Sequence, residues 1–298
     1  MWNAICCPNR RCFFFNVKRI AAMFIKKGNY RRKCDGKLVQ RYGCKGCVKT
    51  FSAQTFHKNY RLHKPELSAP LSLLLVSGVS QRRAARNLQI NRKTVASRVR
   101  KLGKEARFRL EIGLRSHVLK GEIQMDEMES FEHTKMKPLS IPLAVDGTRT
   151  ILGFAVVEMP AKGHLAARSR KKYGRRLDLR PQGFKSVLKG ISHLIQHETE
   201  IRTDKKPAYG PWIKDVTFKG RHTTTKGRRG AIVGQGELKA GGFDPIFSLN
   251  HTAAMLRDNI GRLRRRTWCT TKNPRRLFDL ISIYADFHNS VLLKKKQK

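Results

Sequence analysis

Acidic residues are scarce in this chain: across 298 residues there are 21 Asp and Glu against 64 Lys and Arg, a formal charge of +43. So one-sided a charge opposes compaction by self-repulsion unless a polyanion neutralises it. Nucleic acid is the expected polyanion, because every phosphate neutralised also releases condensed counterions. Composition alone leaves a ribosomal or packaging protein open. Long apolar runs are also lacking, and none approaches the roughly 20 residues that a membrane-spanning helix needs. The stretch from Met1 to Cys12 lacks the charged-then-apolar order of a signal peptide. Internal repeats are absent, and low complexity is confined to Lys294–Lys296. Seven cysteines, an odd number with four in close pairs, argue for metal binding in a reducing compartment more than for disulfides. The expected setting is cytoplasmic and nucleoid-associated.

The length accommodates two or three compact units. All but one of the cysteines precede residue 50. Cys7-Pro-Asn-Arg-Arg-Cys12 forms one pair and Cys44-Lys-Gly-Cys47 a second. Two short cysteine hairpins are what a tetrahedral Zn²⁺ site requires, since each turn presents two thiolates to one ion. Gly43 and Gly46 suit the second turn. In the first, Cys6 could replace Cys7, and Cys34 could stand in for a ligand. Residues 1–56 are therefore expected to form a zinc ribbon holding Zn²⁺ through Cys7, Cys12, Cys44 and Cys47.

Residues 57–118 read as an all-α helix-turn-helix. Pro65 and Pro70 bracket a start, and Leu71, Leu74 and Leu75 make an apolar patch. Ser80 can cap a helix from Gln81 to Leu88, and Asn91 can cap a second from Arg92 to Leu102. Ala85, Leu88, Ile90, Val95, Val99 and Leu102 would join the pair, with Gln89 where a turn glycine is usual. Arg92, Lys93, Thr94, Ser97 and Arg98 would then face a DNA major groove.

From about Leu119 the rhythm is that of strands. Ile123 and Met125 alternate with Glu122, Gln124 and Asp126. The segments 141–145 and 151–157, joined at Asp146-Gly147, read as a β-hairpin. A basic stretch at 168–176 precedes a helical period over 184–197, a short strand at 201–204, and helices at 246–266 and 277–291. That order predicts an α/β domain with a mixed sheet over 119–298. Asp126 and Asp204 fall in or at the ends of strands, 204 − 126 = 78 positions apart. Two facing carboxylates repel, and bound Mg²⁺ relieves that repulsion while activating a hydroxyl for attack on a phosphodiester.

These residues carry a resemblance. Met125-Asp126-Glu127-Met128-Glu129-Ser130-Phe131, Leu152-Gly153-Phe154, Thr203-Asp204 with Tyr209, and Phe243 to His251 running on to Trp268 together resemble the DDE transposases of bacterial insertion sequences. The group resembled also carries an N-terminal zinc ribbon and helix-turn-helix, so the likeness covers nearly the whole chain. It implies a ribonuclease H-like catalytic domain, a mixed sheet with flanking helices. It further implies that the protein binds terminal inverted repeats of double-stranded DNA and acts as a homo-oligomer on two ends. Joining 3′-hydroxyls to target DNA would use Mg²⁺ or Mn²⁺, with Asp126 and Asp204 as the first two ligands.

The third ligand departs from that pattern, which places an acid near the start of the penultimate helix with a basic residue seven positions on. Asn250 stands there, with Arg257 following. Seven residues are nearly two turns, so the two share a face beside the stripe Leu249, Ala253, Leu256, Ile260 and Leu263. An Asn carbonyl oxygen can ligate Mg²⁺ without adding charge. Competing positions are Glu237, Asp244 and Asp258, and Asn250 could instead cap a helix in a decayed copy. His193 and His197, four apart, lack the Glu of a zinc-protease motif and read as solvated or packed. Trp268 could stack on a base but is more often core. The basic runs at 168–176 and 262–266 suit phosphate contact. A non-catalytic DNA-binding regulator and an RNA-packaging protein are the rival readings. The first would bind DNA without Mg²⁺, and the second without sequence preference.

Overall fold

The computed structural model of the protein describes residues 5–15, 17, 23–33, 35–57, 59–60, 62–216, 220–226, 238–239, 242–264 and 267–293. The chain divides into two units, Met1–Ser68 and Ala69–Lys298.

The first unit contains strands β1 (Phe24–Arg31), β2 (Leu38–Cys44) and β3 (Thr50–Ser52), paired antiparallel in that order. Its core is small. Buried Cys7, Cys12, Cys44 and Phe51 are surrounded by Phe24, Tyr42 and Phe56. Phe24 meets Phe51 edge-on at 5.5 Å, and Tyr42 stacks on it at 5.8 Å. Nearly all of β1 is exposed. Units with so little apolar surface to bury need a crosslink or a metal to hold them.

The second unit begins with helices α1 (Ser68–Val76), α2 (Gln81–Asn87) and α3 (Arg92–Arg115). The two expected caps are present. Ser80 Oγ accepts from the Arg83 amide at 3.3 Å, and Asn91 Oδ1 from the Lys93 amide at 2.8 Å. Gln89 has φ +50°, the left-handed conformation that the usual glycine would supply. Helix α3 runs thirteen residues beyond the expected Leu102.

Strands β4 (Ile123–Phe131), β5 (Pro138–Asp146), β6 (Ile151–Phe154) and β7 (Val157–Glu158) follow, then α4 (Leu165–Tyr173) and α5 (Arg180–Gly190). Next come β8 (Glu200–Asp204), α6 (Tyr209–Lys214), β9 (Arg221–Thr225), a two-residue hairpin of β10 (Leu238–Lys239) and β11 (Gly242–Phe243), α7 (Phe247–Asn259) and α8 (Pro274–Phe287). The main sheet has the order β6-β5-β4-β8-β9, with β7 also on β5. Strands β4, β5 and β6 pair antiparallel, whereas β8 joins β4 and β9 joins β8 in parallel. The expected mixed α/β architecture is therefore present.

Helix ends differ from the expected ones. Helix α5 stops at Gly190, and a 3₁₀ turn, Ser192–Leu194, replaces its supposed continuation to His197. Helix α7 ends at Asn259 rather than near Arg266, and α8 widens into a π-helical turn, His288–Leu292.

Strand alternation divides the core in two. Leu139, Ile141, Leu143, Val145 and Met128 face α3, α7 and α8, while Ile123, Met125, Ala144 and Ile201 face α5 and α6. Leu71, Ala84, Val95, Val99 and Leu102 belong to the first of these clusters. Helices α1 to α3 thus share a continuous core with the sheet, and no break falls at the expected boundary between 118 and 119. The second half of α3 lies along α8, where Arg107 pairs with Asp279 at 2.9 Å and Arg109 with Asp286 at 2.7 Å.

Gly103 marks a close approach of these helices, since a Cβ there would lie 2.8 Å from Asp279 Cβ and 2.9 Å from its Cα. Gly113, ten residues along the same helix, has nothing within 4 Å. Gly113→Ala should stabilise the protein by roughly 0.5–1 kcal/mol, the usual helix-interior gain. Gly103→Ala should destabilise it by about 1–3 kcal/mol through overpacking. Denaturant melts of the two variants check this, and equal shifts would contradict the close α3–α8 contact.

Candidate functional site

The four cysteines expected as ligands come together. Cys12 sits in a turn, Cys44 ends β2, and Cys47 lies in the β2–β3 turn. With Cys7 their sulfurs all lie within 4.8 Å of one another, close enough to hold one metal ion. Cys7 Sγ is 3.5 Å from Cys47 Sγ, and Cys12 Sγ is 3.7 Å from Cys44 Sγ. Those spacings match the edge of about 3.8 Å of a tetrahedron with metal–sulfur bonds of about 2.3 Å. The Phe14 amide donates to Cys12 Sγ at 3.4 Å. The Lys49 amide, aided by the Asn9 side chain, pulls the Cys47 thiol down to about 6, whereas burial pushes Cys7 up to about 12. Cys6 stands outside this group, and Cys34 lies outside the described residues.

The turn geometry was anticipated only in part. The positive φ belongs to Val48 (+59°), not to Gly43 or Gly46. Gly46 is needed for space, because a Cβ there would meet the Phe14 ring at 2.9 Å.

On α3, Arg92, Lys93, Thr94 and Ser97 are exposed on the first two turns. Arg98, expected beside them, is only 5% exposed and belongs to the interior. Two more arginines come into view from α2. Arg82 and Arg86, with Ala85, Gln89, Ile90 and Arg92, line an open groove of about 400 Å³.

The acid pair depends on the sheet. Parallel pairing sets Ile123 opposite Ile201 and Gln124 opposite Arg202, so two residues further along Asp126 and Asp204 are level on adjacent strands. Both are half-buried. Burial and the nearby negative charge of Asp204 raise the Asp126 carboxyl above the ordinary carboxylate range, against donors that lower it. Those donors are the Tyr209 hydroxyl and the Glu127 amide, each 2.6 Å from Asp126 Oδ1. Asp204 Oδ1 accepts from the Lys206 amide at 3.2 Å. Two carboxylates of this kind are not a cage. Among the described residues, the cysteines alone form a group of three or more His, Cys, Asp or Glu within metal reach. A pair of carboxylates could supply only part of a shell, as for Mg²⁺, which keeps its waters and takes one or two carboxylates with substrate phosphates.

Asn250 lies in the first turn of α7 and is not its cap, since the helix starts at Phe247. That turn packs on β4, where Gln124 Oε1 accepts the Leu249 amide at 2.9 Å and Gln124 Nε2 donates to the Pro245 carbonyl at 3.2 Å. Asn250 Nδ2 donates to Asp244 Oδ2 at 2.8 Å. Asp244, one of the competing third ligands, is 4% exposed and committed to this contact. It fixes which way the amide faces, with Oδ1 turned from the carboxylate. Asp258 is exposed near the far end of α7, and Glu237 lies outside the described residues. The stripe Leu249, Ala253, Leu256, Ile260 and Leu263 is buried as expected, and Arg257 is half-buried.

Sequence reasoning passed over Lys206 and the partners of Glu127. The Glu127 carboxylate accepts from Ser140 Oγ at 2.5 Å and forms an ion pair with Lys206. The one signal for them was their place beside Asp126 and Asp204. His193 and His197 are exposed, and so is Trp268, at 73%, against its reading as core. No protein family and no curated protein matches the chain. Among the described residues, no helix is long and apolar enough to cross a membrane.

The cysteine geometry predicts one tightly held metal ion per chain. Metal analysis of the purified protein should find it, and Cys44→Ser should reduce the content at least tenfold after dialysis. Unchanged metal in Cys44→Ser would show that the sulfurs are not ligands.

Proposed function

We propose that the protein is a DNA transposase of the DDE type, with Asn at the third position, that cuts and joins DNA ends. The observation that carries the reading is the level placement of Asp126 and Asp204 on parallel strands, beside the helix that presents Asn250. The mixed sheet flanked by helices is compatible with the ribonuclease H-like fold that the resemblance implies. A bound Mg²⁺ or Mn²⁺ would polarise the phosphodiester and activate the attacking hydroxyl. Asp126 and Asp204 would hold it by carboxylate oxygens, and Asn250 by Oδ1. Arg257 would follow on the same face of α7. The cysteine cluster is read as a structural Zn²⁺ site of a zinc ribbon, since four thiolates select a soft or borderline ion over Mg²⁺.

DNA binding is assigned to the exposed Arg92, Lys93, Thr94 and Ser97, with the arginine groove beside them. The excess of 64 basic over 21 acidic residues supplies the sequence-independent part. Two ends must be held for joining, so the working complex is read as a homo-oligomer on double-stranded DNA.

Asp126→Asn and Asp204→Asn should each reduce joining of a pre-cut end to background and leave gel-shift affinity for that end within about twofold. Wild-type joining by either variant would place the chemistry elsewhere. A protein that binds ends equally well with and without Mg²⁺ and never joins them would be the non-catalytic regulator.

Asp244 adds a second test. Asn250→Asp sets a carboxylate against Asp244 where an amide now donates, so joining should fall as far as in Asn250→Ala. Pairing Asn250→Asp with Asp244→Asn restores a donor and acceptor and should recover activity. Full joining by Asn250→Ala would remove Asn250 from the ligand set.

A further inference from the structure

Tyr209 opens α6, five residues beyond Asp204, and is fully buried. Its ring stacks on Phe184 at 4.8 Å and 19°, and Trp212 meets it edge-on at 5.7 Å. The Lys206 ammonium sits 4.8 Å from the ring centroid. A ring clasped on three sides cannot swing, so its hydroxyl has one aim. It donates to Asp126 Oδ1 at 2.6 Å, with Glu127 Oε2 more distant at 3.4 Å. Burial and the charges of Asp126, Glu127 and Asp204 raise the phenol far above its ordinary range, so it remains a donor.

The Glu127 amide donates to the same Asp126 Oδ1 at 2.6 Å. Two donors thus share that oxygen, which has two lone pairs to offer. Asp126 Oδ2, by contrast, accepts no hydrogen bond among the described residues. The neighbouring acid is occupied in another way, because Glu127 gives one carboxylate oxygen to Ser140 and the other to Lys206.

The geometry points to Tyr209 as the positioning residue that makes Asp126 a one-oxygen ligand, its Oδ2 alone turned to the metal. Lys206 meanwhile keeps Glu127 from competing for the ion. The inference rests on the strand-transfer reading and deepens it. A hydroxyl with a merely structural part would satisfy a half-buried carboxylate and leave metal affinity untouched. One that orients a ligand changes affinity, and loss of such outer contacts typically costs 10–100-fold.

The test uses the full chain with its cysteines loaded with Zn²⁺, titrated with Mn²⁺ and followed by the electron paramagnetic resonance of the free ion. Asp126→Asn should lose the site, and Tyr209→Phe should weaken it about tenfold. Thermal melts without Mn²⁺ report any separate effect on folding. If Asp126→Asn loses the ion while Tyr209→Phe binds with wild-type affinity, the positioning role is overturned and the acid pair stands. If wild type and Asp126→Asn bind alike, the strand-transfer reading falls and this inference with it. A measurement that does without Tyr209→Phe covers the case in which that variant does not fold. Infrared difference spectra with and without Mn²⁺, assigned by their loss in Asp126→Asn, should show the wide carboxylate stretch splitting of a one-oxygen ligand. The narrow splitting of a bidentate carboxylate would overturn the proposal.

Discussion

Parallel pairing of β4 with β8 is the constraint on which the candidate site depends. Only two residue pairs of this ladder are matched, Ile123 with Ile201 and Gln124 with Arg202, yet they fix the register of everything beyond. A one-residue slip would turn Asp204 to the opposite face of the sheet. The apolar side secures the register, since Ile123, Met125 and Ile201 are all below 1% exposed in the core beneath α5 and α6. On the other face, Gln124 ties β4 to the first turn of α7, and Arg202 reaches the Pro245 carbonyl at 3.4 Å. Packing on one side sets Asp126 level with Asp204, and polar ties on the other hold the first turn of α7 against β4.

Helix α3 extends that order to the proposed DNA-reading end. Its first turns expose Arg92, Lys93, Thr94 and Ser97, and its second half is fastened to α8 by close approach at Gly103 and by two ion pairs. The proposed recognition residues and the acid pair therefore belong to one unit. Under the transposase reading, the spacing between the bases read and the bond cut is set by this helix and its packing, not by a flexible linker. The four cysteines belong to the other unit, whose small core they share with Phe51 and its aromatic neighbours.

Much of this was legible where side-chain chemistry acts locally. Ser80 and Asn91 cap their helices because a short oxygen-bearing side chain meets amides two or three residues on. The buried stripe that starts on α7 follows from its spacing, and the cysteine cluster from its two tight pairs. What was missed depends on neighbours distant in sequence. Strand β9, Arg221–Thr225, has no apolar alternation, and its pairing with β8 alone makes it a strand. Gly103 and Gly113 look alike in sequence, yet one sits against α8 and the other in open space. Arg98 lies within a basic helix and still turns inward. The Tyr209 hydroxyl takes its role from a carboxylate 83 residues away, which no local spacing reveals.

The central claim is that Asp126 and Asp204 hold one catalytic ion between them. Anomalous scattering from crystals of the protein grown with duplex ends and Mn²⁺ tests it most directly. The account predicts an Mn²⁺ peak about 2.1 Å from an oxygen of each carboxylate, with Asn250 Oδ1 facing it. Mn²⁺ bound elsewhere, with that position empty at saturating concentration, would contradict it.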